Sequence, residues 1–252
     1  GAPVSVRSNI NHEELGYNET IFTIPIVTNA SGIEVTYENA PTAENIRLVN
    51  NDGYSIIGNS GNIAEFPSGF GTQKEGNVSL KFSVNTNTSS SDYTYKIRLE
   101  PLSDVGDPGT VITVDITHQN ADTAGEIQLE TTSITHMGSG ETTTISLFNV
   151  NVPYVVQPNA SWITTDKTAG NITDTTIAVS TSAQEVGAAA RSGKVVLKSQ
   201  YTGKILATLD VYQEAGEAYH ISWSKSSLEF KYNETTTQTN VLTSNAEWQL
   251  EE

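Results

Sequence analysis

Three times this chain ends a Thr-rich, strand-like segment on nearly the same phrase: Asn29-Ala30-Ser31, Asn159-Ala160-Ser161-Trp162 and Asn245-Ala246-Glu247-Trp248. A phrase recurring at this spacing points to tandem units that share one framework. Companion phrases widen the match. Tyr17-Asn18-Glu19-Thr20 precedes the first copy, Tyr232-Asn233-Glu234-Thr235 precedes the third, and Glu141-Thr142-Thr143 holds that place in the second. Asp115-Ile116-Thr117-His118-Gln119-Asn120-Ala121 closes the first repeat and Asp210-Val211-Tyr212-Gln213-Glu214-Ala215 the second, whereas the third has no such ending. From the Asn to the closing Gln the first repeat takes 90 positions and the second 54, so the first is expected to carry about 36 extra residues as loops. The expected domains are residues 1–121, 125–216 and the opening strands of a third over 219–252, joined by short polar junctions that favour a semi-rigid string. The third repeat stops seven positions after Asn245, which implies a fragment or an unfinished domain, with further domains expected after residue 252.

Within the repeats the hydrophobic period is two. Phe22, Ile24 and Ile26 alternate with polar residues, as do Val78, Leu80, Phe82 and Val84, then Tyr95, Ile97 and Leu99. The second repeat alternates at Ile177 and Val179, at Val195 and Leu197, and at Leu209 and Val211. Such segments are half-buried strands of antiparallel sheets. Turn signals separate them, among them Asn51-Asp52-Gly53, and Thr202-Gly203 between two strands that read as a hairpin. No stretch carries a capped helical period. The fold class is all-β, as tandem immunoglobulin-like β-sandwich domains. If Gln119 and Gln213 are equivalent, a bulge near Thr117 and His118 must absorb one residue, because a one-residue slip turns a strand inside out.

Charge narrows the partners. Asp and Glu number 29 against 13 Lys and Arg, a formal charge of −16, and such a field repels nucleic acid and anionic lipid. No run reaches the roughly 20 apolar residues of a membrane helix, so no membrane insertion by this segment is expected. Cysteine is absent, which removes disulfides and thiolate chemistry. No export signal is present, and Gly1-Ala2-Pro3 reads as a trimmed start. Seven N-x-[ST] sequons, at Asn18, Asn29, Asn77, Asn87, Asn159, Asn171 and Asn233, read first as turn residues in a chain rich in Asn, Ser and Thr.

The second repeat carries a family pattern: Asn159-Ala160-Ser161-Trp162-Ile163, an alternating Thr175 to Ser180, Arg191-Ser192-Gly193 before an apolar strand, and a closing strand ending in Gln213. This order resembles the BACON domain, named as Bacteroidetes-associated, carbohydrate-binding and often N-terminal. The resemblance covers residues 125–216 well, 219–252 as an opening half, and the first repeat loosely, because Gly32 stands where Trp162 does and Arg-Ser-Gly is missing. It implies an immunoglobulin-like module of the cell surface, an outer-membrane lipoprotein or the periplasm in a Bacteroides-type bacterium. The resemblance implies a glycan or mucin ligand, or adhesion, although some members look like spacers. Asp122-Thr123-Ala124 resembles the bacterial O-glycosylation motif and equally an ordinary polar linker.

Sugar faces stack on aromatic rings, which makes the tryptophans candidates. Recurrence of Trp162 and Trp248 in one framework favours a core role, since aromatics dominate sandwich cores. Trp223, beside Ile221 in an opening strand, stays a candidate. The extra residues of the first repeat offer Tyr54, Phe66 and Phe70, flanked by Gly69 and Gly71, as a carbohydrate-binding patch on loops. The alternative, that Phe66 and Phe70 plug their own loop onto the sheet, is favoured because apolar groups bury themselves. Asn50-Asn51-Asp52-Gly53 and Asp104 with Asp107 lack the spaced carboxylates of a calcium loop and read as turns. His12, His118, His136 and His220 have no zinc spacing, so no metal and no cofactor are expected. No nucleophile elbow or phosphate cradle is present and no catalytic residue can be named, so the chain reads as a noncatalytic glycan-binding or adhesion module. Its alternative is a structural spacer that presents a downstream catalytic or adhesive domain.

Overall fold

A computed structural model of the chain describes residues 3–67, 74–103, 109–249 and 251. The chain divides into two compact units, Gly1–Ala124 and Gly125–Glu252. The first holds β1 (Val6–Arg7), β2 (His12–Leu15), β3 (Ile21–Thr28), β4 (Gly32–Glu38), β5 (Arg47–Val49), β6 (Ser55–Ile57), β7 (Ile63–Glu65), β8 (Gly76–Ser83), β9 (Tyr93–Leu102) and β10 (Ile112–His118). One sheet runs β1-β3-β8-β5 and the other β2-β10-β9-β4-β7-β6. Alternation does the sorting: Phe22, Ile24, Leu80 and Phe82 of the first sheet meet Val35, Ile97, Leu99 and Ile116 of the second in one buried core. Each such aliphatic or aromatic side chain contributes about 1.5–3 kcal/mol on burial.

The second unit repeats this plan with β11 (Gln128–Leu129), β12 (Ser133–His136), β13 (Thr142–Phe148), β14 (Tyr154–Pro158), β15 (Ile163–Thr165), β16 (Ala169–Gly170), β17 (Thr176–Thr181), β18 (Arg191–Ser199) and β19 (Ile205–Gln213). Its sheets run β11-β13-β17-β15 and β12-β19-β18-β14-β16. Strand for strand this is the first unit's order with one strand fewer. The extra length of the first unit therefore includes the β6–β7 hairpin, inserted where the second unit has only β16. The predicted hairpin at Gly203 forms between β18 and β19, with Gly203 at φ +75.

Three expectations are corrected. The sheets are not purely antiparallel, because β2 runs parallel to β10 and β12 parallel to β19. No bulge occurs near Thr117, where β10 pairs with β9 in unbroken register. His118 faces Leu15 across the parallel pair as Gln213 faces His136. His118, not Gln119, is thus the counterpart of Gln213, and both side chains are buried.

The third correction concerns the opening phrase. Asn29 follows β3 and its Oδ1 accepts from Ser5 N at 2.7 Å, while its Nδ2 donates to Pro3 O. Asn245 follows β21 (Leu242–Ser244), which pairs with β20 (Ile221–Trp223), and makes the same two bonds to His220 N and Ala218 O. Asn159 instead follows β14, and its Oδ1 accepts from Lys194 N. The second copy therefore marks a different strand end, and spacing measured from it overstates the extra length of the first unit. Glu19 and Glu234 also match. Each closes a turn by accepting from the backbone N–H three residues earlier, Gly16 and Lys231. Ile221 and Phe230 are exposed at places where their counterparts Val6 and Leu15 are buried.

Candidate functional site

A groove of about 890 Å³ lies on the outer face of the β1-β3-β8 sheet of the first unit. Period-two alternation sends Ile26 and Val78 to the core and leaves Pro25, Val27 and Asn77 on the other side. Ladder register sets Arg7 beside Val27 and Val27 beside Asn77, so residues distant in sequence share one row. One wall is the chain leaving β1, tied down by Ser8, whose hydroxyl donates to Pro25 O at 2.6 Å and accepts from Ile10 N. The other wall is the turn Asn51-Asp52-Gly53, where Gly53 has φ +94 and a Cβ would come within 3.0 Å of Val78.

Tyr54 anchors that turn from below. Its hydroxyl donates to Val49 O at 2.6 Å and accepts from Lys81 N at 3.0 Å, and burial raises its pKa above the ordinary phenol value. Asn51 Nδ2 donates to Ser79 O. Arg7 is ion-paired to Glu75, which holds the carboxyl below its usual range through the hydrogen bond. Groove size falls within the roughly 300–1,000 Å³ of ligand pockets.

The residues that define the family pattern in the second unit meet elsewhere, in a cluster of internal contacts. The Arg191 guanidinium lies 4.4 Å from the Trp162 ring centre. Arg191 Nε donates to Gln213 Oε1 at 2.8 Å, and Gln213 Nε2 donates to Ser182 O at 2.8 Å. A Cβ on Gly193 would sit 2.6 Å from Ile163 and 3.1 Å from the Trp162 ring. Trp162 is half-buried under Arg191 rather than a core post, and Trp248 is 48% exposed, which corrects the core expectation for both.

The aromatic candidates separate. Tyr54 and Phe66 are buried in the core of the first unit, so neither presents its ring to solvent. Phe70, Gly69, Gly71, Asp104 and Asp107 lie outside the described residues. Trp223 is 53% exposed on β20, with Ile221 and Tyr219 exposed nearby. Sequence reasoning missed Arg7, Asn9, Pro25 and Asn77, which no local motif connects. Asn51-Asp52-Gly53 was the one legible piece of the groove. Among the described residues no group of three metal-ligating side chains occurs and no helix is long and apolar enough to cross a membrane.

Two sheets packed over one core, with the first and last strands of a sheet parallel, define each unit as an immunoglobulin-like β-sandwich. Residues 152–214 match the family model BACON, described as a putative binding domain, N-terminal, and these residues carry that family's pattern. Among solved structures, the chain is similar to a Bacteroides ovatus GH5 xyloglucanase in complex with a heptasaccharide, at 14% identity and TM-score 0.30 over 36% of this chain. The match spans 19% of that enzyme's length. Zebrafish RET cadherin-like domains 1 to 4 match at 8% identity and TM-score 0.44, over 84% of this chain and 51% of theirs. The calcium-binding domain CBD12 of CALX1.1 matches at 13% identity and TM-score 0.36, over 83% of this chain and 99% of its own. These TM-scores are all below 0.5, and the architecture rests on the chain's own strand order. No curated protein sequence matches the chain.

Proposed function

We propose that this chain is a noncatalytic module of the cell surface or periplasm of a Bacteroidetes-type bacterium that binds glycan or mucin, or serves adhesion. The observation that carries the reading is the match of residues 152–214 to a putative binding domain. The preformed groove of the first unit supplies a surface on which a sugar could be held. A glycan array that includes mucin-type, host and plant glycans, probed with the intact chain, tests it. Retention of a defined glycan class above background, with no release of reducing ends on incubation, is the expected result.

A second reading, a spacer that presents a downstream domain, has its own support. Asn159, Trp162, Arg191 and Gln213 are engaged in internal contacts, which suits a scaffold. We read the chain as domains 1–121 and 125–216 followed over 219–252 by the opening strands of a third, because Asn245 and Glu234 repeat the bonds of Asn29 and Glu19. No retention on the array would overturn the binding reading and leave the spacer.

A further inference from the structure

We infer that the groove across the β1-β3-β8 face of the first unit is a binding site for neutral oligosaccharide. This rests on the glycan-binding reading and places the site outside residues 152–214, the part that matches the family. The groove is lined by Asn9, Asn51, Asp52 and Asn77 over a floor that includes Pro25 and Val27. An Asn side chain offers a donor and an acceptor side by side, which suits a pair of neighbouring sugar hydroxyls, and a carboxylate accepts from two hydroxyls at once. The side chains of Asn9, Asp52 and Asn77 make no hydrogen bond or ion pair within the described residues, so their polar atoms are free for a ligand. The Pro25 ring and the Val27 methyls give the C–H face of a pyranose an apolar surface.

Charge selects the sugar class. Arg7 is the cation of the groove and is already neutralised by Glu75, while Asp52 stands free. A sialylated, sulfated or uronic glycan finds no unpaired positive charge there and meets a chain of net charge −16. The walls are preorganised. Tyr54 pins the Asn51–Gly53 turn to Val49 and Lys81, and Ser8 pins the opposite wall to Pro25, so little ordering cost falls on binding.

The test uses the intact chain, its Asp52→Ala and Asn77→Ala variants, and Trp223→Ala. All three positions are exposed, and unchanged thermal unfolding establishes that the variants fold. The array first names a neutral glycan, and calorimetry then measures its affinity. Asp52→Ala and Asn77→Ala are each expected to weaken binding about tenfold, the size of one lost hydrogen bond, while Trp223→Ala leaves it unchanged. A glycan still bound at full affinity by both groove variants, or lost only in Trp223→Ala, would overturn the groove and keep the glycan reading. Binding confined to acidic glycans would overturn the neutral class. Binding to no glycan would overturn the glycan reading itself.

Discussion

Glu44 Oε1 and His118 Nδ1 meet at 2.8 Å, and both side chains are completely buried. The other ring nitrogen, Nε2, reaches Tyr17 O at 3.0 Å, so the pair ties the short 3-10 turn Thr42–Glu44 and the end of β10 to the turn after β2. Stripping a buried pair of one partner is expensive, because the survivor stays desolvated without its hydrogen-bond partner. Glu44→Ala is expected to cost about 3–5 kcal/mol, and Glu44→Leu combined with His118→Leu less than that. All three tryptophans lie in the second unit. In urea unfolding, far-UV circular dichroism should therefore shift while Trp fluorescence keeps its midpoint; a shift of both, or of neither, would contradict this.

Arg191 has the opposite reporter. Its loss removes the cover of Trp162 and the bond to Gln213. Arg191→Ala is expected to cost about 1–3 kcal/mol, combining a cation–π contact with a charged hydrogen bond. Arg191→Lys should recover little, since an ammonium cannot lie flat on the indole and fork to Gln213 together. Both variants should lower the midpoint read by Trp fluorescence, and an unchanged midpoint would refute the stacking role.

Gly193 is constrained by space rather than by backbone angle. A Cβ there would press on Ile163 at 2.6 Å, on Asn159 Oδ1 at 3.0 Å and on the Trp162 ring. Gly193→Ala should destabilise the second unit by about 1–3 kcal/mol, the usual range for overpacking. The same fluorescence unfolding curve measures it.

Tyr154 carries a pH dependence. Burial first, then Asp174 and Asp166, push its pKa from 10.0 up to about 12, and its hydroxyl donates to Asp174 O at 2.8 Å. The folded chain thus holds the neutral phenol that the unfolded chain gives up earlier. Its contribution to stability is full below pH 10 and is lost as the pH rises from 10.0 towards about 12. Absorbance at the phenolate band should lose one step near pH 12 in Tyr154→Phe; an identical titration curve in the variant would contradict this assignment.

The strands were legible because one face of each had to be apolar. Ile24, Leu80 and Ile97 alternate so strictly that sheet and sandwich follow from them. The Asn-Ala phrase misled because it solves a local problem, an amide that satisfies backbone groups at a strand end. The end of β14 poses that problem as β3 and β21 do, so Asn159 arose at a different place in the topology. His118 was hidden behind Gln119, since a resemblance in letters cannot report which residue points inward. Trp162 looked like core because recurrence favours core, and its ring is instead covered by Arg191, some 30 positions away in sequence. The groove was invisible for a related reason. Arg7, Pro25, Asn51 and Asn77 become neighbours only through the β1-β3-β8 ladder and the turn that Tyr54 anchors.

The most direct measurement is an amide NMR titration of the intact chain with the neutral oligosaccharide named by the array, following the side-chain resonances of Asn9, Asn51 and Asn77 and the Trp223 indole. The expected result is saturable shifts at these three amides with Trp223 unmoved. Shifts gathered at Trp223, or none at Asn9, Asn51 and Asn77 under saturating ligand, would contradict a binding site on this face.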